Sequence, residues 1–188
     1  AFADNQANTW AVVQLYNGLL RLGDSLRLEG DLAKSWTSTA DGLSHTFILR
    51  SDVRFHDDPC FEGQPRKMTA GDVAFSLRRL LDPALGADGF WVFNGIVDPQ
   101  GGFVVHNDST LEIRLLQPFQ PFLSRLAMPY CSVLPPEAVA HYGDAFRNHP
   151  VGTGPFRLTD WKEGERLLLQ RHEAYFRTDD EGRTMPYL

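Results

Sequence analysis

Cysteine is scarce in this chain, positive charge is never concentrated, and no apolar run is long. "LEIRLL" and "RLLLQ" are typical of the longest runs. A helix that crosses a bilayer needs about 20 apolar residues, so none of these spans one. The opening "AFADNQANTW" has no charged segment leading into an apolar core. It reads as the interior of a longer sequence, where any export signal would already have been removed, so the missing signal carries no information on compartment. Eighteen basic residues stand against 24 acidic ones, for a net charge of −6. The largest basic clusters are pairs, Arg66-Lys67 and Arg78-Arg79. Nucleic-acid binding rests on a basic stripe that displaces counterions, so that class is excluded. The two cysteines, Cys60 and Cys131, are too few for a disulfide scaffold or a zinc ribbon. They leave two options, one bridge in an exported protein or two unrelated buried thiols. A bridge closing so long a loop would be worth about 4 kcal/mol on the chain-entropy model.

What is present is an ordinary core. The 188 residues are 43% hydrophobic and 22% charged, which suits one globular domain. No internal repeat or low-complexity tract interrupts them. "NQANTWAVVQLYNGLLRL" reads as a helix running into a strand, with Trp10, Val13, Leu15 and Leu19 as apolar markers and Gly18 as terminator. Asp41-Gly42 is a turn dipeptide ahead of the β-rich "SHTFILR", where Phe47 and Leu49 face one way and Thr46 and Ile48 the other. "TAGDVAFSLRRLLDP" is the clearest helix. Thr69 is its N-cap, Asp72 completes a capping box, Val73, Leu77, Leu80 and Leu81 share a face, and Pro83 stops it. "GGFVVHNDSTLEIRLL" predicts a second hairpin turning at Asn107-Asp108, with Leu111, Ile113 and Leu115 alternating. "PPEAVAHYG" predicts a short helix ended by Gly143. "PFRLTDWKEGERLLLQRH" predicts a third hairpin around Gly164. Hairpins mixed with helices, without regular βαβ alternation, give an α+β class. The longest loop, "HDDPCFEGQPRKM", is of the kind that carries function or contacts.

The most compact oddity is "HPVGTGPF". It lacks the lysine of a P-loop and the third glycine of a dinucleotide fingerprint. Pro155 and a strand follow where a helix N-terminus would be needed to hold phosphate. Gly152 and Gly154 instead point to close approach by another group. "FHDDPC" brings His56, Asp57, Asp58 and Cys60 together in no zinc spacing, and an acidic turn before proline accounts for it. His45, His106, His141, His149 and His172 are dispersed. There is no G-x-S-x-G, and Cys131 has no local histidine. The aromatics of "DGFWVFNG", Tyr16 and Tyr130 suit a core, and also suit the wall of a ligand pocket.

These segments together resemble the family 5 extracellular solute-binding proteins, the peptide, dipeptide and nickel receptors of ATP-binding-cassette importers. The stretches that carry the likeness are "LYNGLLRL", "GDLAKSWTSTADGLSHTFILRSDVRFHD", "MTAGDVAFSLRRLLDP", "TLEIRLLQPFQPFLSRLAMP", "LPPEAVAHYG" and "HPVGTGPFRLTDWKEGERLLLQRHEAYF". They occur in family order and cover nearly the whole chain. The resemblance implies the first lobe of a type II-like periplasmic binding protein, with its β-rich subdomain over about residues 25–165. Residues 166–188 then begin the crossing toward a second lobe that the chain lacks. Such a portion is expected to bind ligand weakly or not at all.

By the same resemblance, Tyr16, Asn17, Trp91 and Tyr130 are ligand contacts, and Gly152, Thr153 and Gly154 lie on the cleft side. The implied partners are a peptide or other small solute and the permease subunits, outside the cytoplasm. Membrane contact would come only through a lipid anchor outside this sequence, and self-association through the cut face. No cofactor, metal or catalytic residue is implied. The long "PCFEGQPRKM" loop resembles a Bacteroidetes-like branch in which cysteines at these two positions accompany each other, which implies a Cys60–Cys131 bridge. The rival from another class is a hydrolase with a Cys/His or Ser/His site assembled in space, and a structural interaction domain is a third reading.

Overall fold

The computed structural model describes residues 6–187. Asn5, where the first helix reading begins, and Leu188 lie outside them. The first helix, α1, is Gln6–Leu15, followed by strand β1, Leu20–Leu22, which pairs antiparallel with β2, Leu28–Gly30. Two of the expected apolar markers of α1 face outward. Trp10 and Val13 are exposed, and the inward face is Val12, Leu15 and Tyr16. The helix meets the core along a narrower stripe than its composition suggests.

The core is built on one four-stranded antiparallel sheet. β3 (Ala33–Ser38), β4 (Ser44–Leu49), β5 (Phe103–Asn107) and β6 (Thr110–Arg114) are ordered β3-β4-β6-β5. The period of two works as the sequence predicts. His45, Phe47 and Leu49 of β4 and Leu111 and Ile113 of β6 are buried, while Ile48 is exposed. The pairings Phe47↔Leu111 and His45↔Ile113 align these inward rows. The second helix, α2 (Ala70–Arg79), covers this face with Val73, Ala74 and Leu77, all at most 1% exposed. Burying the Val73 and Leu77 side chains stabilises by roughly 1.5–3 kcal/mol each.

The start of α2 is closed as its sequence predicts. The Asp72 carboxylate accepts the Thr69 backbone N–H at 2.7 Å and pairs with Arg66 at 2.7 Å. The long loop between β4 and α2 is tied at its base, where Phe55 N–H donates to Arg66 O at 2.9 Å and Met68 N–H to Val53 O at 3.1 Å. Two short helices follow, α3 (Phe122–Arg125) and α4 (Pro136–Tyr142), the latter ended by Gly143 at φ 50°. The last hairpin is β7 (Phe156–Lys162) with β8 (Arg166–Arg171).

Candidate functional site

The residues singled out in the sequence fall into two groups. The first gathers around "VGTG", which crosses the C-terminal end of α1. The Gly154 N–H donates to Leu15 O at 2.9 Å, and the His56 N–H donates to Gly152 O at 2.8 Å. A Cβ at Gly152 would stand 2.0 Å from Leu15 O, and one at Gly154 would stand 2.4 Å from Gln14 O. Neither glycine has a left-handed φ, so steric contact alone explains them.

The His56 ring fixes the same turn from the other side. Its Nε2 lies 3.0 Å from Gly154 O, and its Nδ1 lies 3.3 Å from the Gly152 N–H. A carbonyl only accepts and an amide only donates, so His56 is the neutral Nε2–H tautomer. Burial pushes its pKa down to about 4. His172 meets it edge-on at 4.8 Å and donates from Nδ1 to the same Gly154 O at 3.1 Å, its own pKa also lowered by burial.

Beside this turn lies a buried polar knot. The Thr153 hydroxyl donates to Asn17 Oδ1 at 3.1 Å, and Asn17 Nδ2 donates to Asp31 Oδ2 at 3.0 Å. Arg177 closes on Asp31 at 2.6 Å. Burial raises the Asp31 pKa, against the pull of Arg177 and Asn17. Tyr16 is buried, and burial alone pushes its phenol well above the usual range. Tyr16, Asn17, Gly152, Thr153 and Gly154 are therefore brought together, with the polar side chains of Asn17 and Thr153 committed to bonds within the chain.

The second group is an aromatic surface. Trp91 lies in the 3-10 turn Phe90–Val92, and Tyr130 in the 3-10 turn Pro129–Cys131. Their rings meet edge-on, 6.2 Å apart at 79°. Trp91 is 47% exposed. Arg125, which the sequence reading missed, holds this arrangement. Its Nη1 donates to Trp91 O at 3.0 Å and to Val92 O at 2.8 Å. Its guanidinium carbon lies 4.9 Å from the Trp91 ring centre and 4.5 Å from that of Phe119. The two groups connect through the segment after α1. Val133 N–H donates to Asn17 O at 3.0 Å, and Gly18 leaves room for the Cys131 carbonyl, 3.3 Å from where a Cβ would stand.

Two expectations are corrected. Cys60 and Cys131 are free, and no bridge joins them. The Cys131 thiol is buried under Arg125, donating to its carbonyl at 3.4 Å, whereas Cys60 lies in the 3-10 turn of the long loop. Nor is there an activated thiol for a hydrolase. Burial pushes both thiols up to about 12, helped at Cys60 by Asp58. His149, the partner such a site would need, stacks on Tyr142 at 4.5 Å. Among the described residues, no group of three His, Cys, Asp or Glu is placed to hold a metal ion. Surface hollows of about 390 and 240 Å³ lie on the long loop, lined by Asp57, Asp58 and Gly63 and by Cys60, Arg66 and Glu137 respectively. Neither touches the residues of the two groups.

Comparison with known proteins matches residues 27–188 to the family model for bacterial extracellular solute-binding proteins, family 5. Glutathione-binding protein GsiB of Escherichia coli O1:K1 is 31% identical over 161 residues, covering 86% of this chain and 29% of its own. Peptide transport periplasmic protein SapA of Salmonella typhimurium is 34% identical over 177 residues, covering 87% of this chain and 32% of its own. The solved structure of the periplasmic binding protein DppA from Helicobacter pylori, in complex with peptide STSA, superposes with a TM-score of 0.83 at 26% identity. That match covers 94% of this chain and 37% of the other. The chain spans about a third of the length of the relatives it matches.

Proposed function

The chain belongs to the bacterial extracellular solute-binding proteins of family 5, and on that premise we propose that it forms one wall of a peptide-binding cleft. The whole protein would capture peptides outside the cytoplasm and deliver them to the permease of an ATP-binding-cassette importer. The observation that carries this reading is Trp91. It is clamped by Arg125 and braced by Tyr130, yet 47% of it faces solvent. An aromatic held rigid without being buried suits a ligand wall, because little freedom remains to be lost on binding.

Roles divide accordingly. Trp91 and Tyr130 touch the ligand. Tyr16, Asn17, Gly152, Thr153 and Gly154 position the cleft edge from behind. Residues 25–165 form the β-rich subdomain, and residues 166–188 begin the passage toward a facing lobe. β8 pairs with β7 across that boundary, so the passage starts as the return arm of a hairpin. One wall supplies half the contacts, so this chain alone binds peptide weakly or not at all. Tight peptide binding by the chain alone in calorimetry would overturn that point. Mass spectrometry of the whole receptor, purified with its native ligand, tests the function. A bound peptide is expected, and a bound sugar would refute the substrate class.

A further inference from the structure

Arg125 is held on three sides and open on the fourth. Both hydrogens of Nη1 are taken by the carbonyls of Trp91 and Val92. The guanidinium carbon also lies over the rings of Trp91 and Phe119. A guanidinium has five donors, so three remain, on Nε and Nη2. None of these has a hydrogen-bond or ion-pair partner among the described residues, and neither nitrogen is sealed from solvent.

That open edge has a defined preference. Elsewhere in this chain the same Nε/Nη2 edge holds a carboxylate in a two-pronged grip. Arg50 grips Asp52 at 3.0 and 2.7 Å, and Arg114 grips Glu112 at 2.9 and 3.0 Å. At Arg125 the edge is equally able but empty, and its direction is fixed by the carbonyls and rings behind it. A fixed fork loses little freedom when it binds, so it is selective for planar two-oxygen groups. The exposed Trp91 lies directly beside it.

We propose that the Nε/Nη2 edge of Arg125 is a carboxylate-binding site, taking the free carboxylate of a ligand whose body lies on Trp91. This rests on the reading of Trp91 as a ligand wall, and it adds a charge requirement to that wall. Arg125 thereby favours ligands that end in, or carry, a carboxylate over their amides.

The test is NMR titration of the ¹⁵N-labelled chain with acetate, tri-alanine and tri-alanine amide, with sodium chloride as the ionic-strength control. Acetate and tri-alanine are expected to move the Arg125 Nε–H resonance, while chloride does not. Tri-alanine should bind about tenfold more tightly than its amide, the value of one charge-assisted pair. Arg125→Met should abolish that preference. Equal binding of acid and amide to the unaltered chain would overturn the proposal, as would an Arg125 Nε–H that acetate leaves unmoved. If tri-alanine, like acetate, moves Arg125 Nε–H but leaves the Trp91 indole unmoved, the ligand-wall reading fails and the carboxylate edge stands.

Discussion

Alanine at Gly154 would place a methyl carbon 2.4 Å from both Gln14 O and Leu15 C, and 2.7 Å from Leu15 O. Carbon contacts are comfortable only from about 3.5 Å, so the turn would have to retreat from α1 by roughly 1 Å. Both sides are backbone, and no side chain can swing away. Overpacking of this kind costs about 1–3 kcal/mol. The retreat also stretches the Gly154 N–H bond to Leu15 O and the two histidine bonds to Gly154 O. Each is worth about 1 kcal/mol, so the expected loss is about 4–6 kcal/mol. For a chain of this size that lowers Tm by roughly 15 °C. Gly63→Ala is the control, because Gly63 has φ +76° and nothing within 4 Å of its missing Cβ. It should lose about 1 kcal/mol through left-handed backbone strain alone. Thermal melts followed by circular dichroism, with urea unfolding for the free energies, separate the two. If Gly154→Ala costs no more than Gly63→Ala, steric closure is not the reason for the glycine.

The His56 pKa, lowered to about 4, makes stability depend on pH with a definite sign. As pH falls below 6.5 the unfolded chain takes up a proton that the native His56 refuses until about 4. Stability therefore falls across that interval, by about 3 kcal/mol in all, and is unaffected above it. His56→Gln keeps a donor and an acceptor but cannot titrate, so its urea midpoints should vary less between pH 7 and 5; an unchanged slope would refute the assignment. Arg177→Ala leaves the buried Asp31 carboxylate without its cation and should cost about 3 kcal/mol. Asp31→Asn removes the buried charge itself and should cost clearly less, so the opposite order in urea unfolding would count against the pairing. The Cys131 thiol should resist a thiol reagent in the native state and react in urea, since burial shields it and holds it protonated. A mass two hydrogens short of the reduced chain would instead reveal a bridge.

Legibility in the sequence followed the range of the interaction. The Asp41-Gly42 turn, the Thr69/Asp72 capping box and the alternation of Phe47 and Leu49 are settled by residues a few positions apart, and all three appear as expected. The inward face of α1 does not follow from its own composition. Trp10 has the largest apolar side chain in the helix, but what decides burial is the turn at residues 151–154, strand β7 and the Pro129–Cys131 turn, against which α1 packs. Nothing within the helix encodes that choice. The cysteine pair misled for a related reason. Likeness of position in a family says which residues recur, whereas bridging requires the two sulfur atoms to meet. Here one is tied under Arg125 and the other rides on a surface turn.

The candidate site divides along the same line. Gly152 and Gly154 could be read as points of close approach, and Leu15 and His56 are what approaches. Asn17 and Thr153 stand out only through the family resemblance, which implies a ligand contact for the first and a place on the cleft side for the second. Their partners prove to be each other and Asp31, three segments far apart in sequence. Arg125 gave no local signal at all. In "PFLSRLAMPY" it looks like an ordinary surface arginine on a short helix. Its importance comes from contacts 33 and 34 residues away, with the carbonyls of Val92 and Trp91. Those contacts change what Trp91 means. An exposed tryptophan on a loop is unremarkable when it is free to move. One whose carbonyl and ring are both held by a guanidinium with an unfilled edge presents a flat apolar face and a positive fork in fixed relation. On the proposed reading that combination receives a peptide terminus, and recognition falls on the aromatic turn rather than on the glycine turn.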